Sequence, residues 1–110
     1  MTRPIAFIFP GQGSQTVGMG KNLYDNSEIA HTVFERAGEI LKIDIKKLCF
    51  DGPEDALKQT RNTQPAITTT SIVALEVLKD KGFGPSIVAG HSLGEYAALY
   101  AAGADRKSVV

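Results

Sequence analysis

Residues 5–9, IAFIF, form an unbroken apolar run of aromatic and β-branched side chains, stopped by Pro10 and Gly11. A run without polar alternation suits a strand buried on both faces, as in a parallel sheet. The next eleven residues, PGQGSQTVGMG, carry four glycines and read as a loop whose backbone amides can face outward. From Ser27 the spacing becomes helical: Ile29, Val33, Phe34, Ala37, Ile40 and Leu41 recur at steps of three and four. Ser27 suits the N-cap, and the helix should fade near Lys42. In GPEDALKQT (52–60), Pro53 followed by acids predicts a short helix. Residues 62–82, NTQPAITTTSIVALEVLKDKG, predict a longer one, capped by Asn62 or Thr63, with Pro65 in its first turn and Gly82 at its end. Its nearly all-round apolar character predicts burial against a sheet. SIVAG (86–90) is the second predicted strand, and SLGEYAALYAAG (92–103) the helix that leaves it. Strand, helices, strand, helix is the order of an α/β fold with parallel strands.

Composition adds exclusions. The chain has 110 residues, enough for one domain, and its 12 basic residues balance 12 acidic ones. No basic stripe argues for nucleic acid or an anionic membrane surface. Cys49 is alone, so neither an internal disulfide nor a multi-cysteine metal site is expected, and a reducing, cytoplasmic setting fits. The N-terminal apolar run is too short for a signal segment. Residues 66–78 hold four hydroxyl side chains and Glu76, which excludes a membrane span there. The chain reads as soluble.

Gly90-His91-Ser92-Leu93-Gly94 is a G-x-S-x-G pentapeptide between a strand pattern and an alanine-rich helix, the setting of a nucleophile elbow. The turn forces the serine into strained backbone angles, and the flanking glycines leave room for strand and helix to approach. Ser92 would project from the C-terminal edge of the sheet. The first helical turn offers unpaired N–H groups, and that of Leu93 is placed to donate to an oxyanion formed at Ser92. The plainer role for Ser92 is a helix cap. His91 is not assigned as the base, because neighbouring side chains on such a turn diverge; it is expected to pack or to line the substrate. His31 reads as a helix-surface histidine.

An oxyanion hole generally needs a second donor, often from the loop after another strand. FPGQGSQ (9–15) fits, with Gly11 and Gly13 letting the backbone approach a ligand. A dinucleotide fingerprint is the rival reading, but Thr16 stands where its third glycine belongs, so phosphate binding is not expected. A plain structural turn is the remaining alternative.

Taken together, FPGQGSQ, TQPAI (63–67) and GHSLGEYAAL (90–99) resemble, in order and spacing, the malonyl-CoA:acyl-carrier-protein transacylases of fatty-acid synthesis. The acyltransferase domains of polyketide synthases are similar. The resemblance implies an α/β-hydrolase-like parallel sheet with flanking helices, and a ferredoxin-like subdomain inserted later. It implies ping-pong transfer of malonyl from malonyl-CoA to Ser92 and then to acyl carrier protein, by a cytoplasmic monomer without cofactor or metal. Ser92 matches the family nucleophile, and Gln12 and Leu93 match the positions whose backbone N–H groups form the oxyanion hole. Leu93 also resembles the malonyl-using form.

The family's catalytic histidine and malonyl-binding arginine lie beyond this chain, as does the small subdomain. Residues 1–104 are therefore expected to be the N-terminal portion of the large subdomain, about the first third of such an enzyme, without a general base. Residues 105–110, DRKSVV, depart from the family pattern and read as a non-family tail, either artefactual or the genuine end of a short product. Alone, the chain is expected to be inactive. With so little sheet, Ile67, Val77 and Phe83 are expected to be partly exposed. The alternatives are a serine esterase or thioesterase of α/β-hydrolase type, and a non-catalytic module that binds acyl carrier protein.

Overall fold

The computed structural model describes residues 5–84, 87–90 and 94–101. In chain order these form β1 (Ala6–Phe9), α1 (Lys21–Asn26), α2 (Glu28–Leu41), α3 (Ile45–Phe50), α4 (Glu54–Lys58), α5 (Thr60–Asp80), β2 (Ile87–Gly90) and α6 (Gly94–Ala101). The two strands pair in parallel, in the register Ala6↔Ile87 to Phe9↔Gly90. Parallel pairing requires a crossover, here supplied by five helices. It also brings the C-terminal ends of both strands to the same edge, so the chain leaves both strands side by side.

The sequence patterns place both strands, α2, α4, α5 and α6 within a few residues. Ser27 caps α2, its hydroxyl accepting from the Ala30 N–H at 3.3 Å. Lys42 ends it in the left-handed conformation, with its N–H donated to Gly38 O at 2.9 Å. The start of α5 differs: Gln59, not Asn62 or Thr63, is the N-cap, and Pro65 lies inside the helix. Both expected caps turn back to α4 instead. Asn62 Nδ2 donates to Ala56 O at 2.9 Å, and the Thr63 hydroxyl donates to the carbonyls of Leu57 and Gln59. Pro65 offers no N–H to Arg61 O, but Arg61 is exposed, so water can satisfy that carbonyl.

Two other expectations are corrected. Helix α5 is buried mainly by α2, α3, α4 and α6 rather than against a sheet, because two strands cannot cover a helix of 21 residues. Ile67 and Val77 are consequently buried, whereas Phe83, beyond the helix end, is exposed as expected. Nor is β1 buried on both faces: Phe9 is buried, but Ile8 is 76% exposed.

The larger core cluster holds Phe34, Ile45, Cys49, Leu57, Val73 and Val77. Phe34 and Phe50 meet edge-on at 5.0 Å between ring centroids, and each fully buried apolar side chain here contributes about 1.5–3 kcal/mol. The smaller cluster joins Phe9, Leu75, Ala97 and Ala98, and this is what fastens α6 and β1 to α5. The Tyr100 hydroxyl adds a hydrogen bond to Glu76 at 2.8 Å across α5 and α6. Among the described residues no buried side-chain nitrogen or oxygen lacks a partner. No helix there is long and apolar enough to cross a membrane.

Candidate active site

The site forms where β1 and β2 end together. In open α/β sheets, ligands bind at the carboxyl ends of the strands. Phe9 and Gly90 are register partners, so the FPGQG loop and the G-x-S-x-G pentapeptide start from adjacent backbone positions. Gly94, the last residue of that pentapeptide, opens α6 directly against β1. A Cβ at Gly94 would collide with the Phe9 carbonyl oxygen and lie 2.9 Å from that of Pro10. Only glycine lets the start of α6 seat on the end of β1. The sequence reading called for close approach of strand and helix at this glycine; the strand approached is β1, not the β2 strand that precedes it.

Gln12 lies in the loop after β1, exposed, with its side-chain Nε2 donating to Thr60 Oγ1 at 3.1 Å. This anchors the loop to the first residue of α5. Gly11 O accepts from the Ser14 hydroxyl at 2.7 Å and from the Ser14 N–H at 3.3 Å. The Gly13 N–H donates to Gln15 Oε1 at 2.7 Å, and Gly13 sits at φ 109°, a conformation L side chains rarely adopt. The loop is thus held by its neighbours on either side of Gln12. Among the described residues no acceptor takes the Gln12 backbone N–H. Thr60 is the partner that sequence reasoning missed, and a contact spanning 48 residues leaves no local signal to find it by.

His91, Ser92 and Leu93 lie outside the described residues. The structure therefore fixes Gly90 and Gly94 on either side of them, and the Gln12 loop after β1.

The other polar cluster lies on the helices. Glu35 Oε1 accepts from the Tyr24 hydroxyl at 2.8 Å and from Lys46 Nζ at 2.6 Å, tying α1, α2 and α3 together. The Lys46 hydrogen bond, followed by that of Tyr24, holds the Glu35 carboxyl below the usual carboxylate range. The same contact raises Lys46 and Tyr24. His31, exposed on α2 as expected, stacks on Tyr24 with ring centroids 4.6 Å apart. Burial pushes the Cys49 thiol up to about 11, so it is an inert core group. Among the described residues no group of three or more His, Cys, Asp or Glu side chains could hold a metal ion.

The parallel strand pair ends in a glycine-rich loop after β1 and, in sequence, in the G-x-S-x-G pentapeptide after β2. Residues 6–107 match the acyl transferase domain family, and the chain belongs to that family. Within it, the chain is similar to the malonyl CoA-acyl carrier protein transacylase of Bacillus subtilis strain 168, at 53% identity over 100 residues. That match covers 91% of this chain and 32% of the relative. The crystal structure of the Clostridium perfringens malonyl CoA-acyl carrier protein transacylase superposes with a TM-score of 0.89 at 47% identity, covering 94% of this chain and 33% of that one. A malonyl-transacylase solved in complex with a type II PKS acyl-carrier protein superposes at 0.85 with 42% identity, covering 92% of this chain and 33% of its own. The chain spans about one third of the length of these relatives.

Proposed function

We propose that this chain is the nucleophile-bearing part of an acyltransferase that moves a malonyl group from malonyl-CoA to acyl carrier protein. The observation that carries the reading is the meeting of the β1 and β2 ends. Gly94 against Phe9 and Pro10 holds the start of α6 at the end of β1, which supports placing Ser92 near the Gln12 loop. In this reading Ser92 Oγ attacks the thioester carbonyl, a C–O bond forms and the C–S bond to coenzyme A breaks. The backbone N–H groups of Gln12 and Leu93 stabilise the oxyanion between those events, and His91 lines the acyl pocket. The thiol of the carrier protein then attacks the serine ester, and Ser92 is released. An ester intermediate lets one site serve two bulky thiols in turn, and the chemistry needs no cofactor. The relatives named as malonyl transacylases, and the relative solved with an acyl-carrier protein, support this substrate pair.

The base that takes the serine proton is supplied from outside these residues, so the 110-residue chain by itself transfers no malonyl. The test is a chimera joining residues 1–101 to the part of the Bacillus subtilis relative beyond its match, assayed for malonyl transfer to acyl carrier protein. Activity is expected, with Ser92→Ala lowering kcat on the order of 10⁴-fold or more. Transfer that survives Ser92→Ala, or efficient transfer by the 110-residue chain alone, refutes the proposal.

A further inference from the structure

The loop after β1 is tethered to the helices at both ends. Near its start, Gln12 Nε2 reaches Thr60 Oγ1 at 3.1 Å. Near its far end the Gly18 N–H donates to Cys49 O at 2.7 Å, which fastens it to α3. Between these anchors the loop satisfies its own amides. The Gly13 N–H is taken by Gln15 Oε1 and the Ser14 N–H by Gly11 O. Of the successive amides at 12, 13 and 14, that of Gln12 is the one left to donate elsewhere among the described residues.

Gln12 stands between Gly11 and Gly13, neighbours that leave its peptide free to rotate. Its direction therefore depends on what its own side chain grips. That grip is firm, because Thr60 opens a helix whose first turn is pinned to α4. Asn62 Nδ2 donates to Ala56 O, and the buried Thr63 hydroxyl donates to the Leu57 and Gln59 carbonyls. A donor to a developing oxyanion is worth most when it is aimed before the charge appears.

We infer that Thr60 is a positioning residue of the acyl-transfer site: its hydroxyl holds the Gln12 side chain and so aims the Gln12 backbone N–H at the oxyanion. Thr60 touches no reacting atom. The inference rests on the malonyl-transfer reading for the oxyanion, and on hydrogen-bond geometry alone for the tether. Because oxyanion charge develops only in the transition state, the tether acts on kcat and leaves substrate binding alone. Both partners are exposed, so the effect of a single neutral hydrogen bond is modest, about three- to tenfold.

The test has two arms. In the chimera with the Bacillus subtilis relative, Thr60→Val keeps the shape and removes the acceptor. It should lower kcat about three- to tenfold and leave KM for malonyl-CoA within about twofold. Thr60→Ser should recover most of that loss. Gln12→Leu removes the other end of the tether and keeps the backbone N–H. It should cost about as much as Thr60→Val, and the double variant little more than either. In the free 110-residue chain, nitrogen-15 relaxation should give the Gln12 amide an order parameter near about 0.85, falling toward about 0.6 in Thr60→Val while Gly18 is unchanged. An unchanged kcat, a loss confined to KM, additive losses, or an unchanged order parameter at Gln12 each overturns the inference. A parent chimera that transfers no malonyl refutes the malonyl reading instead, and the relaxation arm still decides whether Thr60 holds Gln12.

Discussion

Replacing Gly94 by alanine tests the contact on which the site is built. The added methyl would collide with the Phe9 carbonyl oxygen, lie 2.8 Å from its carbon, and stand 2.9 Å from Pro10 O. All three are backbone atoms at the end of a strand, so none can swing aside as a side-chain tip would. Restoring ordinary contact with the Phe9 carbonyl oxygen requires α6 to retreat by more than about 1 Å, against the packing of Ala97 and Ala98 on Phe9. Overpacking of this kind costs about 1–3 kcal/mol, and alanine's helix preference offsets less than about 1 kcal/mol at a first-turn position. The net expectation is a loss of about 2 kcal/mol. With a urea m-value of about 1–1.5 kcal/mol per molar, the midpoint should fall by about 1.5 M. The chain has no tryptophan, so far-UV circular dichroism and tyrosine fluorescence are the probes. Gly84→Ala is the control: a methyl there meets open space, and its midpoint should stay within about 0.5 kcal/mol of the parent. In the chimera, Gly94→Ala should also lower kcat by about 10²-fold, because the proposed mechanism needs Ser92 held close to the Gln12 loop. A Gly94→Ala variant as stable as the parent would refute the close approach of α6 and β1.

Further outcomes follow from the helices. Thr63→Val keeps the shape but removes the buried hydroxyl donated to the Leu57 and Gln59 carbonyls, and should cost about 1–3 kcal/mol in urea unfolding. Glu35 has a folded-state carboxyl below its ordinary range, through Lys46 and then Tyr24. Its contribution to stability is therefore present above about pH 4 and lost as pH falls through the depressed folded value. Urea midpoints measured from about pH 5 to 2 should show a shallower acid decline in Glu35→Gln than in the parent. With its thiol near 11, Cys49 should react with a disulfide reagent at pH 8 about 10²-fold or more slower than a free cysteine until urea unfolds the chain. A native rate equal to that of a peptide thiol would contradict its place in the core.

Legibility of the fold tracked the length and regularity of each signal. IAFIF and SIVAG were short but bounded by Pro10, Gly11 and Gly90, and Ser27 marked its helix in one residue. Helices α1 and α3 went unread because six residues carry less than two turns of periodicity. Asp44 was a usable sign for α3, since its carboxylate accepts from the Lys47 N–H at 3.1 Å. The caps of α5 were misplaced because Asn62 and Thr63 serve tertiary contacts with α4, which local preference cannot foresee. At the site, the glycine spacing announced that strand and helix come close. That Gly94 abuts the other strand, and that Thr60 holds Gln12, depended on the parallel crossover bringing distant residues together.

The central claim is that Ser92 carries the acyl group. Acid-quenching the chimera shortly after it meets malonyl-CoA, and sequencing its peptides by mass spectrometry, tests this directly. One malonyl group is expected on Ser92, discharged when acyl carrier protein is added. Labelling at another residue, or turnover with Ser92 unmodified throughout, would contradict the account.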